Sequence, residues 1–310
     1  MNAYYRQPAI YKDQVVFIAE DDLWTFNLKD KVARRLTANL GMIRYPQFSP
    51  DGKQIAFTST EEGTSEVYII PSEGGEVTRL TYLGAYLNTL GWKGNKIIFA
   101  SSHTSALPGY YKLFEIDSEG GSPVELPYGR ANDISFGAKG VVLGRNTGNP
   151  ARWKRYRGGT AGYLLVDKNG DGKFKKLIDL KGNFAHPMWI GNRIYFVCDH
   201  EGIGNIYSCT PEGKDLQKHS NHKDFYARGA YSDGKSIIWH AGADLWLMDI
   251  KENKPRKLSF AYSSPMVQRQ RKFVSPPKNL EDIYLSPDGG SLSFALRGKA
   301  LVSGNWEGSV

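Results

Sequence analysis

The stretch Arg145–Arg157 carries Arg145, Arg152, Lys154, Arg155 and Arg157 with no acidic residue, and Trp153 and Tyr156 are interleaved among them. Guanidinium groups grip carboxylates and phosphates through paired donors and lie flat on aromatic rings. These seven residues are therefore the candidate ligand-binding set, suited to the anionic end of a peptide or to a phosphate. A second reading leaves the rings to pin an insertion to its scaffold, with the bases solvated or paired across a subunit contact. A third uses Trp153 and Tyr156 as stacking platforms for nucleic acid.

Other reactive side chains form no recognisable set. No Gly-x-Ser-x-Gly elbow occurs, so one common sign of an activated serine is missing. The six histidines, His103, His186, His200, His219, His222 and His240, fall mostly at turns or strand ends. His219, His222 and Asp224 lie close enough in sequence to suggest a metal, yet without further ligands they read as solvated loop residues. Asp167-Lys168-Asn169-Gly170-Asp171-Gly172 matches the first half of a calcium loop, but Ile178 stands at the twelfth position where a bidentate carboxylate belongs. A plain strand-joining turn accounts for it better. The expectation is no catalytic residue, no metal and no cofactor in this chain. Cys198 and Cys209 read as buried thiols in a reducing compartment, which points to the cytoplasm.

The elements that position these residues emerge from self-similarity. One unit reads Tyr45–Ser49, the turn Pro50-Asp51-Gly52-Lys53, Gln54–Thr58, Glu66–Pro71, a Gly74-Gly75 turn and Val77–Thr81. Short apolar runs punctuated by Asp-Gly and Gly-Gly are hairpin signals, because those residues accept positive φ. The residue closing each second strand recurs as Phe17, Phe57, Phe99, Leu143, Phe196, Trp239 and Phe294, at spacings of 40, 42, 44, 53, 43 and 55. A four-strand unit every 40–45 residues or so is the mark of a β-propeller blade, and the long steps mark insertions. Third strands begin at Asp22, Glu66, Lys112, Gly162, Asn205 and Asp244, and fourth strands follow at Arg34–Thr37, Thr78–Thr81, Val124–Leu126, Lys175–Leu177, Leu216–His219 and Arg256–Ser259.

The expected fold is all-β. A six-bladed propeller over residues 1–262 is closed without a strand shared between its ends, a basic proline-containing linker covers 263–278, and residues 279–310 form the truncated start of a second propeller. A lone half-blade cannot bury its faces, which suggests that the chain is cut from something longer.

Of 310 residues, 40 are Lys or Arg and 32 Asp or Glu, a net charge of +8. The insertion contributes +5, and Arg269, Arg271, Lys272 and Lys278 of the linker contribute +4, leaving 31 against 32 elsewhere. A body so balanced argues against a broad polyanion-binding face, hence against nucleic acid as a partner. With 40% hydrophobic and 23% charged residues the chain is not disordered. Its longest early apolar run, Val15–Ala19, is far shorter than a bilayer requires, so no membrane partner is expected.

Several segments carry a family resemblance. Pro8-Ala9-Ile10, Asp21-Asp22-Leu23-Trp24, Arg145-Asn146-Thr147 with Trp153–Thr160, Asn192–Phe196, Gly202–Ser208 and Gly213–Leu216 resemble the amino-terminal propeller of the tricorn proteases. The resemblance implies a cytosolic serine peptidase that trims oligopeptides, in which a seven-bladed propeller, a PDZ-like domain and the peptidase domains follow this one and the whole assembles as a hexamer. It further implies that the catalytic serine and histidine lie beyond residue 310. This chain would then be a non-catalytic module that gates or guides peptides through its channel. The alternative is a stand-alone TolB-like or WD40-like propeller acting as a protein-binding scaffold. An arginine pair that the family uses near its substrate's carboxyl end has no counterpart in Tyr82–Trp92, which lacks arginine.

Overall fold

The computed structural model describes residues 3–107, 109–149, 151–266 and 275–306. Two compact units are present, Met1–Ser264 and Pro265–Val310. Among the described residues the first contains six four-stranded sheets, each an antiparallel meander of consecutive strands. Their inner strands are Arg6–Tyr11, Ile43–Phe48, Leu87–Lys93, Asp133–Phe136, Phe184–Ile190 and Arg228–Ser232. The protein is a β-propeller.

Alternation along the second strands explains the packing. In the first sheet Val15, Phe17 and Ala19 enter a cluster with Ile238 and Leu247 of the sixth sheet, while Val16 and Ile18 enter one with Phe48 and Phe57 of the second. Successive side chains of a strand point to opposite faces, so a strand covered on both sides must be apolar throughout. The same pattern joins the second sheet to the third, and so on around to the fifth and sixth. The anchors Phe17, Phe57, Phe99, Leu143, Phe196 and Trp239 are all essentially fully buried.

Outer strands are held by a recurring polar device. At the start of the third strand Asp22, Glu66 and Asn205 are buried, and each accepts from the hydroxyl of Thr37, Thr81 or Ser220 in the segment just past the outer strand. Those same hydroxyls accept the backbone N–H of Leu23, Val67 and Ile206 at 2.9–3.0 Å. Most outer strands are only two residues long, but that of the third sheet runs Gly120–Arg130 rather than the three residues expected. Asp117 pairs directly with Gly120, and positive φ at Gly120 and Gly121 lets the chain turn back at once and continue pairing to Arg130.

In the Pro50-Asp51-Gly52 turn, Asp51 accepts from the Ser49 hydroxyl at 2.6 Å and from the Lys53 amide at 3.0 Å. A Cβ on Gly52 would lie 2.1 Å from the Tyr11 ring, so the glycine is obligatory. The second unit contains a short helix, Pro276–Asn279, and a three-stranded sheet of Leu280–Leu285, Ser291–Leu296 and Lys299–Gly304. It repeats the turn, with Asp288 accepting from Ser286 at 2.6 Å. The linker bases Arg269, Arg271 and Lys272 lie outside the described residues. No helix among the described residues is long and apolar enough to cross a membrane.

Candidate functional site

The basic insertion connects the second and third strands of the fourth sheet. Its arginines do not converge on one point. Arg157 donates from Nη1 to Asp199 Oδ1 at 3.0 Å and from Nη2 to the Asp199 carbonyl at 2.9 Å. Asp199 is fully buried, and its carboxylate also accepts the amides of Asn183 and Arg155. Arg155 itself turns through φ 61° and donates from Nε to the Gly202 carbonyl at 3.2 Å. Lys154 lies 6.0 Å from the Tyr226 ring. Trp153 is exposed, with its ring 5.3 Å from that of Tyr156, whose hydroxyl accepts from Thr160. Arg152 is exposed, whereas Arg145 ends its strand half-buried. Arg155 and Arg157 thus fasten the insertion to the fifth sheet, and Arg152, Trp153 and Lys154 are its outward face.

The histidines depart from the expectation of solvated loops. His219 is buried, with Nε2 2.7 Å from Ser208 Oγ and Nδ1 2.6 Å from Asn253 Oδ1. The order resembles a nucleophile, a base and an orienting group, but Ser208 is fully buried and its Oγ already accepts from Arg193 Nε at 2.8 Å. No substrate carbonyl can reach it, so the trio is structural. His222 Nε2 accepts the Trp239 indole N–H at 2.9 Å. Burial lowers the pKa of both imidazoles. The calcium-like string is a turn in which Asp167 accepts the amides of Asn169, Gly170, Asp171 and Gly172, leaving its oxygens engaged by backbone. Cys198 and Cys209 are buried free thiols, the first pushed up to about 12 and the second to about 11 by desolvation.

A site that sequence reasoning missed lies along the axis. A cavity of about 680 Å³ is lined by the inner strands of all six sheets. At one level, set by pairing with the residue after each second-strand anchor, stand Arg6, Arg44, Asn88, Asp133, Ala185 and Arg228. All except Ala185 line the cavity, and His186 takes its place. Four inner strands bulge just after this level, placing Gln7, Tyr45, His186 and Gly229 at φ 44–56°. Bulges re-aim side chains, and left-handed non-glycine residues cluster at functional sites.

The bulge amides stitch neighbouring sheets together. Tyr45 N–H donates to Gln7 Oε1 at 3.1 Å, Gly229 N–H to His186 Nε2 at 3.2 Å and Gln7 N–H to His240 Nδ1 at 3.2 Å. Both imidazoles must be neutral at the accepting nitrogen. Burial holds His240 down at about 3, with Arg228, His186 and Arg6 adding repulsion, and burial also lowers His186. Burial raises the Tyr45 phenol, and Asp133 adds to this while Arg44 and Arg228 oppose it. The only advance signal was a repeated proline one residue past a polar or aromatic one, in Gln7-Pro8, Tyr45-Pro46 and His186-Pro187.

The surfaces at the two ends differ. Leu40, Tyr82, Tyr86, Leu107, Trp153 and Phe225 are all more than 60% exposed, and all lie in segments at the end where the inner strands begin. At or close to the opposite end the exposed large apolar residues are Val32, Val124 and Leu216, among those described.

The family described as "Tricorn protease N-terminal beta propeller domain" matches residues 2–254. The chain is 32% identical over 316 residues to the tricorn protease homolog of Saccharolobus solfataricus, an alignment spanning 99% of this chain and 29% of that protein. The crystal structure of the tricorn protease superposes with a TM-score of 0.86 at 32% identity, over 97% of this chain and 30% of that one. TolB from Acinetobacter baumannii shares the fold, with a TM-score of 0.53 at 16% identity over 70% of this chain and 54% of that one. The chain therefore spans less than a third of the length of these two tricorn relatives.

Proposed function

The chain belongs to the family of tricorn protease N-terminal β-propeller domains, and on that premise we propose that it is the non-catalytic channel module of a tricorn-type serine peptidase. It guides oligopeptides along the axis toward or away from peptidase domains elsewhere in the same polypeptide. The observation that carries this reading is the cavity of about 680 Å³ onto which all six inner strands open. In this reading the six sheets close into one ring over residues 1–262 by packing alone, residues 263–278 are a linker, and 279–310 begin a seven-bladed propeller. The proposal includes a cytoplasmic homo-hexamer.

The aromatic end of the propeller supports a role in assembly. Exposed Tyr, Trp and Leu side chains gathered on one face are the composition of a protein contact rather than of a solvated surface. Arg152, Trp153 and Lys154 of the insertion belong to that face, and we assign them to the contact. Asp199 neutralises Arg157, and in this reading the axis rather than the insertion takes the peptide.

Filling the channel tests the reading. Asn88 lines the cavity at the ring level, and Asn88→Trp is expected to leave thermal stability nearly unchanged while weakening oligopeptide binding about tenfold or more. Equal affinity in a folded variant would remove the channel from the account.

A further inference from the structure

We propose that Asp133 is the centre of a recognition site for a primary ammonium group, the free amino terminus of a peptide or the side chain of a lysine, on the wall of the axial cavity. This deepens the channel reading and rests on it. Asp133 lines the cavity at the ring level and is half-buried. Among the described residues its carboxylate accepts no hydrogen bond and has no cation within ion-pair distance. The arginines of the same cavity are engaged elsewhere. Arg228 donates to Asn149 Oδ1 at 2.9 Å and to the Tyr4 hydroxyl at 3.0 Å, Arg44 turns toward the Met42 sulfur, and Arg6 is ion-paired with Asp21. At the ring level the adjacent sheets offer Asn88 and Ala185, neither of them charged.

The seam beside Asp133 supplies the rest of the site. The second and third sheets are joined by the Thr89 amide donating to the Thr58 hydroxyl at 2.9 Å, and the fourth and fifth by the Trp189 amide donating to the Ser135 hydroxyl at 2.9 Å. Between the inner strands of the third and fourth sheets, Leu87–Lys93 and Asp133–Phe136, no hydrogen bond is made among the described residues. Polar groups stand there unmet instead. Asn132 Oδ1 and Thr147 Oγ1 are shut off from water and have no partner, although both residues line the cavity and Thr147 is only 4% exposed. A Cβ on Gly144 would lie 2.3 Å from Thr147 Oγ1 and 2.9 Å from Asp133 Cβ, so the glycine lets the hydroxyl and the aspartate side chain share one recess. The Asn132 amide donates to the Gly144 carbonyl at 2.8 Å, which ties that residue to the same place. Buried acceptors without donors cost stability, and a ligand that brings donors recovers it.

The recess selects its ligand by chemistry. It offers oxygen from a carboxylate, an amide and a hydroxyl, with one negative charge in all. An ammonium brings three N–H donors and one positive charge, matching both. Calcium takes roughly six to eight oxygens, several of them from carboxylates. With Arg44 and Arg228 on the same cavity wall, a doubly charged ion is also repelled twice as strongly as an ammonium.

Calorimetric titration of the 310-residue chain with three peptides amidated at the carboxyl end tests the assignment: tetra-alanine with a free amino terminus, the same peptide acetylated, and an acetylated tri-alanyl-lysine. Calcium chloride alone is the fourth probe. At least one ammonium-bearing peptide is expected to bind about tenfold or more tighter than acetylated tetra-alanine, and the tighter of the two identifies the source of the ammonium. The gap should close in Asp133→Asn, a change of nearly the same shape, and narrow in Thr147→Val, which removes a hydroxyl that has no partner to lose. Asp179→Asn on the outer surface, where the side chain is 86% exposed, should leave it intact. If acetylated tetra-alanine binds as tightly as both others, ammonium recognition is overturned and the channel reading survives. If the gap persists in folded Asp133→Asn, the assignment to Asp133 falls. If calcium binds tighter than either ammonium-bearing peptide, the recess is a metal site and the assignment falls. If no peptide binds, both readings fall.

Discussion

Replacing Arg157 by alanine separates scaffold from ligand site in the basic insertion. Asp199 is fully buried, and its carboxylate is held by the Arg157 guanidinium at 3.0 Å and by the amides of Asn183 at 2.8 Å and Arg155 at 3.1 Å. Removing one partner of a buried ion pair costs roughly 3–5 kcal/mol, because the remaining charge is stranded in a low dielectric. Two amide donors remain on Asp199 in Arg157→Ala, and the guanidinium is partly exposed, so the expected loss lies at or below the bottom of that range, about 2–3 kcal/mol. Adding Asp199→Asn removes the stranded charge and should recover about 1 kcal/mol of it. Arg152→Ala, an exposed change, should cost less than about 0.5 kcal/mol. Urea unfolding at pH 7, followed by tryptophan fluorescence, measures all four proteins. Equal midpoints for Arg157→Ala and the parent, or equal losses for Arg152→Ala and Arg157→Ala, would refute the division of the insertion into an anchored and an outward half.

Acidification should loosen the ring of inner strands. The folded-state pKa values of His186 and His240 are lowered by burial, that of His240 to about 3, so below about pH 6.5 the unfolded chain binds protons that the folded chain does not. Stability is then intact above that pH and falls as pH drops, by up to about 1.4 kcal/mol per unit for each histidine. Urea midpoints at pH 7 and pH 5 measure it, and His240→Gln should flatten the slope; an unaltered slope in that variant would exclude His240. Cys198 and Cys209 should resist a thiol reagent at pH 8 until the protein unfolds, since both are buried with raised pKa values; rapid labelling of the folded chain would contradict this. Thr81→Val deprives the Val67 amide of its acceptor and Glu66 of its hydroxyl donor, and should cost about 1–3 kcal/mol in the same urea assay.

The repeat was legible because turn chemistry and anchors are local. Asp-Gly and Gly-Gly mark hairpins, and Phe17, Phe57 and Phe99 recur at the second strand because that strand is covered on both faces. The insertion was legible as a cluster of charge but not as a geometry. Asp199 lies 42 residues past Arg157 in sequence, so a local count of charges overstated the free positive charge. The channel was hidden for a related reason. Each inner strand contributes one or two polar residues, Arg44 here and Asp133 there, and only the register of six separate sheets brings them to one level. His219 looked solvated because its partners Ser208 and Asn253 come from other strands and turns. The bulges of the inner strands also break the strict alternation by which a strand is recognised, so Gln7, Tyr45 and His186 gave only their neighbouring prolines as a sign.

Photo-cross-linking of an oligopeptide carrying a diazirine side chain to the 310-residue chain, with the labelled positions read by mass spectrometry, tests most directly that peptides occupy the axis. Labels are expected on inner-strand residues such as Asn88, Tyr45 and His186, and should be lost in Asn88→Trp. Labels confined to outer strands such as Gly120–Arg130, or to the insertion around Trp153, would contradict it.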